Sequence, residues 1–170
     1  MKACQEKKMT NTICNKITIL GIGNTLYTDE GLGVYALSPL EELYGSDDQV
    51  ELVYGATDGM SLLGVVEDTD YLMVLDAINA GKEGGHIIQL QGEEIPTYYG
   101  VKMSIHQLGF QEVLLAAKLR ERYPKHVMMI GMQPTSLELG VGLTTTNQSQ
   151  LPALVQLVEK QINKWKNEIL

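Results

Sequence analysis

The chain has 170 residues, a formal net charge of −8 and a hydrophobic fraction of 44%, which fits one domain around a single core. The acidic balance argues against general nucleic-acid binding, because a phosphate backbone rewards clustered Lys and Arg. No run approaches the roughly 18 consecutive apolar residues of a membrane span. Lys7-Lys8, Arg120, Arg122, Lys164 and Lys166 read as solvated surface charge. Cys4 and Cys14 precede the first strand and read as free thiols in a reducing compartment, which points to the cytoplasm. Residues 1–15 are polar, without an apolar h-region, and are expected to be a flexible extension before a single α/β domain over 16–170.

In chain order, Lys16 to Leu20 reads as a first strand, apolar enough to be buried on both faces. Gly21-x-Gly23-Asn24 breaks it, and Asp29-Glu30 opens a helix over Gly31 to Tyr44. Val50 to Tyr54 is a second strand, followed by a glycine turn with Thr57 as N-cap and a short helix to about Glu67. Tyr71 to Leu75 is a third strand, with Asp76 at its C-terminal end. His86 to Gln91 is a fourth; no helix separates it from the third, so an antiparallel or edge position is expected. Gly92 to Met103 reads as irregular.

Ser104-Ile105-His106-Gln107 has capping-box spacing and opens a helix to about Arg122. His126 to Met132 is a fifth strand, Gln133 to Thr146 a long loop, and Ser149 to Trp165 a last helix, with Pro152 allowed only in its first turn. Strands alternate with helices. The fold expected is therefore three-layer α/β, a largely parallel five-stranded sheet with helices on both faces. Right-handed crossovers then gather the segments after the strands, Gly21 to Glu30, Gly55 to Asp58, Asp76 to Asn79 and Gln133, on one rim.

Gly21-x-Gly23 first points to a dinucleotide turn, but position 26 holds Leu instead of the third glycine, and no Gly-Lys-Ser/Thr exists. A phosphate here would also face Asp29 and Glu30; like charges about 4 Å apart repel by roughly 4 kcal/mol at an effective dielectric of about 20. A cation suits the corner better. Glu30 and Asp76, with Asp29 and Asp58 as extras, converge on the rim, and His106 starts a helix that reaches it. One imidazole and two carboxylates suit Zn, Mn, Fe or Ni. With water completing the sphere, such a site polarises a carbonyl or activates water. Asp29 and Glu30 equally suit ordinary capping, with Asp29 the better candidate for it, and Asp76 suits a turn. His86 and His126 read as structural or surface, and Tyr98-Tyr99 as cleft or packing aromatics. There is no Gly-x-Ser-x-Gly elbow.

The motifs Gly21-Ile22-Gly23-Asn24, Asp29-Glu30-Gly31-x-Gly33, Gly55-Ala56-Thr57-Asp58-Gly59-Met60, Leu75-Asp76-Ala77, Glu93-Glu94-Ile95-Pro96, Ser104-Ile105-His106-Gln107-Leu108-Gly109, Gly131-x-Gln133-Pro134 and Gly142-Leu143-Thr144 occur in that order. In this the chain resembles the hydrogenase maturation endopeptidases over about residues 16 to 160. The resemblance implies a metal-dependent peptidase of aspartyl or metallo type. Its activity would be to remove a C-terminal peptide from the precursor of a nickel-iron hydrogenase large subunit. It implies Glu30, Asp76 and His106 as metal contacts, Glu30 and Asp76 as catalytic groups, and nickel, supplied by the substrate, as recognition signal. Tyr54 stands where members often carry Asp, so a role for an acid there does not transfer. A non-catalytic metal-sensing chaperone using the same ligands is the alternative, and a nucleotide-binding α/β protein a third reading.

Overall fold

The computed structural model describes residues 15–99 and 105–170; side chains at 99 and 105–108 lie outside the described set. The elements are β1 (Ile17–Ile22), a 3₁₀ turn (Thr28–Gly31), α1 (Leu32–Tyr44), β2 (Val50–Ala56), a second 3₁₀ turn (Gly59–Leu62) running into α2 (Leu63–Glu67), β3 (Tyr71–Ala77), β4 (Ile87–Gln91), α3 (Glu94–Tyr99), α4 (Ile105–Leu119), β5 (His126–Met132) and α5 (Thr145–Ile169). They form one five-stranded sheet in the order β2-β1-β3-β5-β4. β2, β1, β3 and β5 are parallel, and β4 runs antiparallel to β5 at the edge. The expected three-layer architecture is present.

Alternation along the strands sorts the core into two layers. Ile17 and Ile19 of β1 and Tyr71, Met73, Leu75 and Ala77 of β3 pack with Leu32, Ala36, Leu37 and Leu40 of α1 and Leu154, Val158, Ile162 and Trp165 of α5. Leu20, Ile22, Leu72 and Val74 face the other way, onto Leu62, Val66 and Ile95 and onto Phe110, Val113, Leu114 and Ala117 of α4. Every β1 and β3 residue is buried, as continuous apolar runs in a parallel sheet require.

Several boundaries differ from expectation, each for a local reason. A short helix, α3, occupies part of the stretch read as irregular. Pro96 falls in its first turn, where a missing N–H costs no intrahelical bond. The turn before α2 begins after Asp58, not Thr57, and has no side-chain cap. α4 ends at Leu119 rather than Arg122, with Glu121 left-handed at φ 56°. The Ser104 capping box lies outside the described residues. α5 starts four residues before Ser149, because Thr144 caps it by accepting from the Asn147 N–H. Pro152 consequently lies inside the helix, beyond the first turn. Its missing N–H would have served Gln148, an exposed residue, whose carbonyl water can satisfy.

Candidate active site

β1 leads to α1 and then outward to β2, whereas the chain returns through α2 to β3 on the other side of β1. The C-terminal ends of β1 and β3 therefore form the switch point of the sheet, where open α/β folds leave a crevice. The Glu30 turn follows β1, and Asp76 belongs to β3. Asp76 is a strand residue paired with Gly131, one step deeper than the sequence pattern placed it. It is fully buried, and its Oδ1 accepts the Ala77 N–H at 2.8 Å. Its even position in β3 puts it on the sheet face covered by α4, the helix that carries His106 in its first turn.

Two glycines bring the Glu30 turn down onto the strand ends. A Cβ at Gly33 would stand 2.0 Å from the Leu75 carbonyl oxygen and 2.3 Å from that of Ile22. Only glycine lets α1 approach β1 and β3 this closely. Gly23 adopts φ 130°, and a Cβ there would meet the Glu30 carbonyl oxygen at 2.0 Å. The 3₁₀ turn holding Glu30 consequently contacts β3 itself. Glu30 is half-buried and its N–H donates to the Tyr27 carbonyl at 2.9 Å. On the far side, Gly109 of α4 lies against Gly59, 3.4 Å from the position of a Cβ to the Gly59 Cα. This contact seats the first turn of α4 beside the turn that follows β2. The His106 side chain itself lies outside the described residues.

The neighbouring acids have different surroundings. Asp58 is exposed. Asp29 is fully buried, but it does not cap its own helix. Its Oδ2 accepts from the Thr135 N–H at 2.8 Å, the Ser136 N–H at 3.1 Å and the Thr144 hydroxyl at 2.9 Å, and its Oδ1 from the Thr144 N–H at 2.8 Å. Asn147, which the sequence pattern does not single out, and the rim residues Gln133 and Asn79 continue this network. Asn147, fully buried, accepts from the Thr135 hydroxyl and donates to the Gln133 carbonyl. Gln133 Oε1 accepts from the Ala80 and Lys82 N–H groups, and its Nε2 donates to Asn79. The partners of Asp29 are up to 115 residues away and those of Gln133 up to 54, so local pattern carries no signal of these contacts.

The remaining candidates stand apart. His86 and His126 are exposed, and His126 stacks on Tyr71 at 4.6 Å. Tyr98 accepts the Asn79 N–H at 3.0 Å, anchoring the loop after β3. Tyr54 donates to Glu41 at 3.0 Å, eleven positions along the chain from Glu30, or about 16 Å of helix. Partial burial and the Glu41 carboxylate raise its phenol pKa. Among the described residues, no group of three His, Cys, Asp or Glu side chains lies close enough to hold a metal, and no helix is long and apolar enough to cross a membrane. The rim also carries exposed apolar side chains, Leu26, Leu137, Leu139 and Val141. They sit on two loops joined by a parallel bridge between Tyr27 and Gly140.

Comparison with known proteins identifies the family. A family model described as hydrogenase maturation protease matches residues 34–161. The hydrogenase 2 maturation protease of Escherichia coli K12 is 41% identical over 145 residues, covering 84% of this chain and 88% of the relative. The hydrogenase expression/formation protein HupD of Bradyrhizobium diazoefficiens is 40% identical over 158 residues, covering 92% and 82%. The solved structure of the hydrogenase maturating endopeptidase HybD from E. coli superposes with a TM-score of 0.83 at 37% identity, covering 88% of this chain and 93% of that one. The chain belongs to the hydrogenase maturation protease family.

Proposed function

We propose that this chain is the endopeptidase that removes the C-terminal peptide from a nickel-loaded precursor of a nickel-iron hydrogenase large subunit. The observation that carries the proposal is the meeting of the Glu30 turn with β3 at the switch point of the sheet. Glu30, Asp76 and His106 supply two carboxylates and an imidazole, a donor set suited to an intermediate divalent cation. The nickel belongs to the substrate, so these residues read it on arrival and cleavage reports that loading is complete. An acidic rim favours such a cation-bearing partner. The exposed Leu26, Leu137, Leu139 and Val141 beside it suit a macromolecular substrate. The place of action in this reading is the cytoplasm, an inference from sequence alone.

In the chemistry proposed, water attacks the carbonyl carbon of the scissile amide. A carboxylate takes the water's proton and returns it to the departing nitrogen. Glu30, half-buried, has the contact with solvent that this role needs; Asp76, fully buried, holds its Oδ1 against the Ala77 N–H. Purified protein incubated with nickel-loaded precursor is expected to give a mass loss equal to the C-terminal peptide, and none with nickel-free precursor. Asp76→Ala and His106→Ala are expected to fold and leave the precursor intact. Stable binding without cleavage by the parent protein would instead identify a chaperone. Normal processing by both variants would remove the metal-site assignment.

A further inference from the structure

Glu30 lies in a turn whose backbone is not at rest. Thr28, a β-branched residue two positions earlier, has φ 39°, a conformation that L side chains disfavour and that persists only where surroundings enforce it. The enforcing contacts all come from the loop after β5. The Thr28 N–H donates to Gly140, and its hydroxyl donates to Ser136 at 2.7 Å and reaches Glu138 at 3.2 Å. Asp29, next in the chain, receives its four hydrogen bonds from Thr135, Ser136 and Thr144 of the same loop. Asn147 of α5 ties the loop to the residue that leaves β5: its side-chain amide donates to the carbonyl of Gln133, next after Met132, at 3.2 Å. β5 is in register with β3, Gly131 opposite Asp76. Hydrogen bonds from the residue beside Glu30 thus lead through Asn147 to Gln133, and from there the backbone continues into β5, which pairs with the strand that holds Asp76.

We propose that the Asp29–Thr144–Asn147 clamp is a positioning device that sets Glu30 against Asp76 for peptide cleavage, with Asp29 as its central positioning residue. The inference rests on the assignment of Glu30 and Asp76 to the active site. Asp29 touches no reacting atom; it acts through the turn. A carboxylate is required because three backbone N–H groups and a hydroxyl converge on it, and only an acceptor-only group can satisfy all four. The sheet fixes the backbone at Asp76, whereas Glu30 sits on a strained turn.

The test is single-turnover cleavage of nickel-loaded precursor, which separates rate constant from amplitude. A purely structural role changes the folded fraction and hence the amplitude; a positioning role changes the rate constant at full amplitude. Asp29→Asn is expected to slow the rate constant by about 30- to 100-fold, the scale of a misplaced reacting group. Thr144→Val, which removes the hydroxyl, is expected to slow it about fivefold, and Thr144→Ser, which restores it, to remain within about twofold of the parent. A parent-like rate constant in Thr144→Val, or equal slowing by Thr144→Ser and Thr144→Val, overturns the proposal even where Asp29→Asn fails to fold. Glu30→Gln is run in parallel. If it cleaves at the parent rate, the active-site assignment has failed; if it is inactive while the clamp variants are fast, only the clamp has failed.

Discussion

Asp29→Asn tests the clamp thermodynamically as well as kinetically. The substitution is isosteric, so its cost is hydrogen bonding, not volume. An amide can place its oxygen at the Oδ2 position and keep Thr135, Ser136 and the Thr144 hydroxyl, but its nitrogen then faces the Thr144 N–H, donor against donor. The reverse orientation strands two N–H groups, Thr135 and Ser136. The first orientation is therefore favoured, and it leaves one buried donor unsatisfied, worth about 1–3 kcal/mol, while three retained bonds lose their charge assistance, roughly 0.5 kcal/mol or more each. Relief from burying a charge offsets part of this. The net expectation is about 3 kcal/mol, or a fall in Tm of roughly 6–12 °C for a chain of this length. Urea denaturation should show a lower midpoint at unchanged slope. A loss below about 1 kcal/mol would mean that water or a shifted loop satisfies these donors as well as Asp29 does. The clamp would then not hold the loop.

Three further outcomes follow from the same structure. Gly33→Ala drives a methyl group into two backbone carbonyls that no side-chain rotation can clear; α1 must lift from the strand ends, at about 3 kcal/mol, with a matching loss of precursor cleavage, measured by melting and by mass spectrometry. Tyr54→Phe removes an exposed hydrogen bond to Glu41 and should cost under about 1 kcal/mol, leaving cleavage unchanged. Slowed cleavage would show that position 54 contributes to the reaction. For pH, partial burial pushes the Asp47 carboxyl up, but the Lys166 ammonium and the Gln49 N–H outweigh it and leave its pKa lowered. A lowered folded-state pKa stabilises above the ordinary aspartate range, and the gain disappears as pH falls through the folded value. Asp47→Asn should therefore be less stable than the parent at pH 7 by up to about 1 kcal/mol, and the two urea midpoints should converge as pH falls through the lowered folded-state value.

What the sequence shows readily is what short-range chemistry decides. The β1, β3 and β5 runs are legible because strands buried over most of their length are nearly all apolar, with Thr18 and Asp76 the buried polar exceptions in β1 and β3, and β4 is legible as antiparallel because no crossover helix precedes it. The rim location of Glu30 and Asp76 follows from the same alternation of elements. α3 is hidden by Pro96, which reads as a breaker but falls in a first turn. The start of α5 is obscured by Thr144, Thr145 and Thr146 in sequence, since only the fold decides which hydroxyl meets the Asn147 N–H. Asp29 reads locally as a capping acid. Its partners, Thr135, Ser136 and Thr144, come next to it only after β5 has been laid beside β3.

The adjacent acids therefore divide the work of the corner by geometry. A 3₁₀ turn has about three residues per revolution, so successive side chains leave it roughly 120° apart. Asp29 and Glu30 cannot both point into the loop after β5. Once Asp29 is committed there, fully buried and surrounded by donors, Glu30 leaves the turn in another direction and stays half-buried. The strain at Thr28 belongs to the same arrangement: the left-handed step rotates the turn so that its first carboxylate meets Thr135, Ser136 and Thr144. Gly23 and Gly33 remove the Cβ atoms that would keep that turn off the strand ends. A Gly-x-Gly corner that elsewhere admits a phosphate is here closed over its own acids. One is built into the scaffold, and the other sits on a turn that contacts β3 at the point where the order of the sheet reverses.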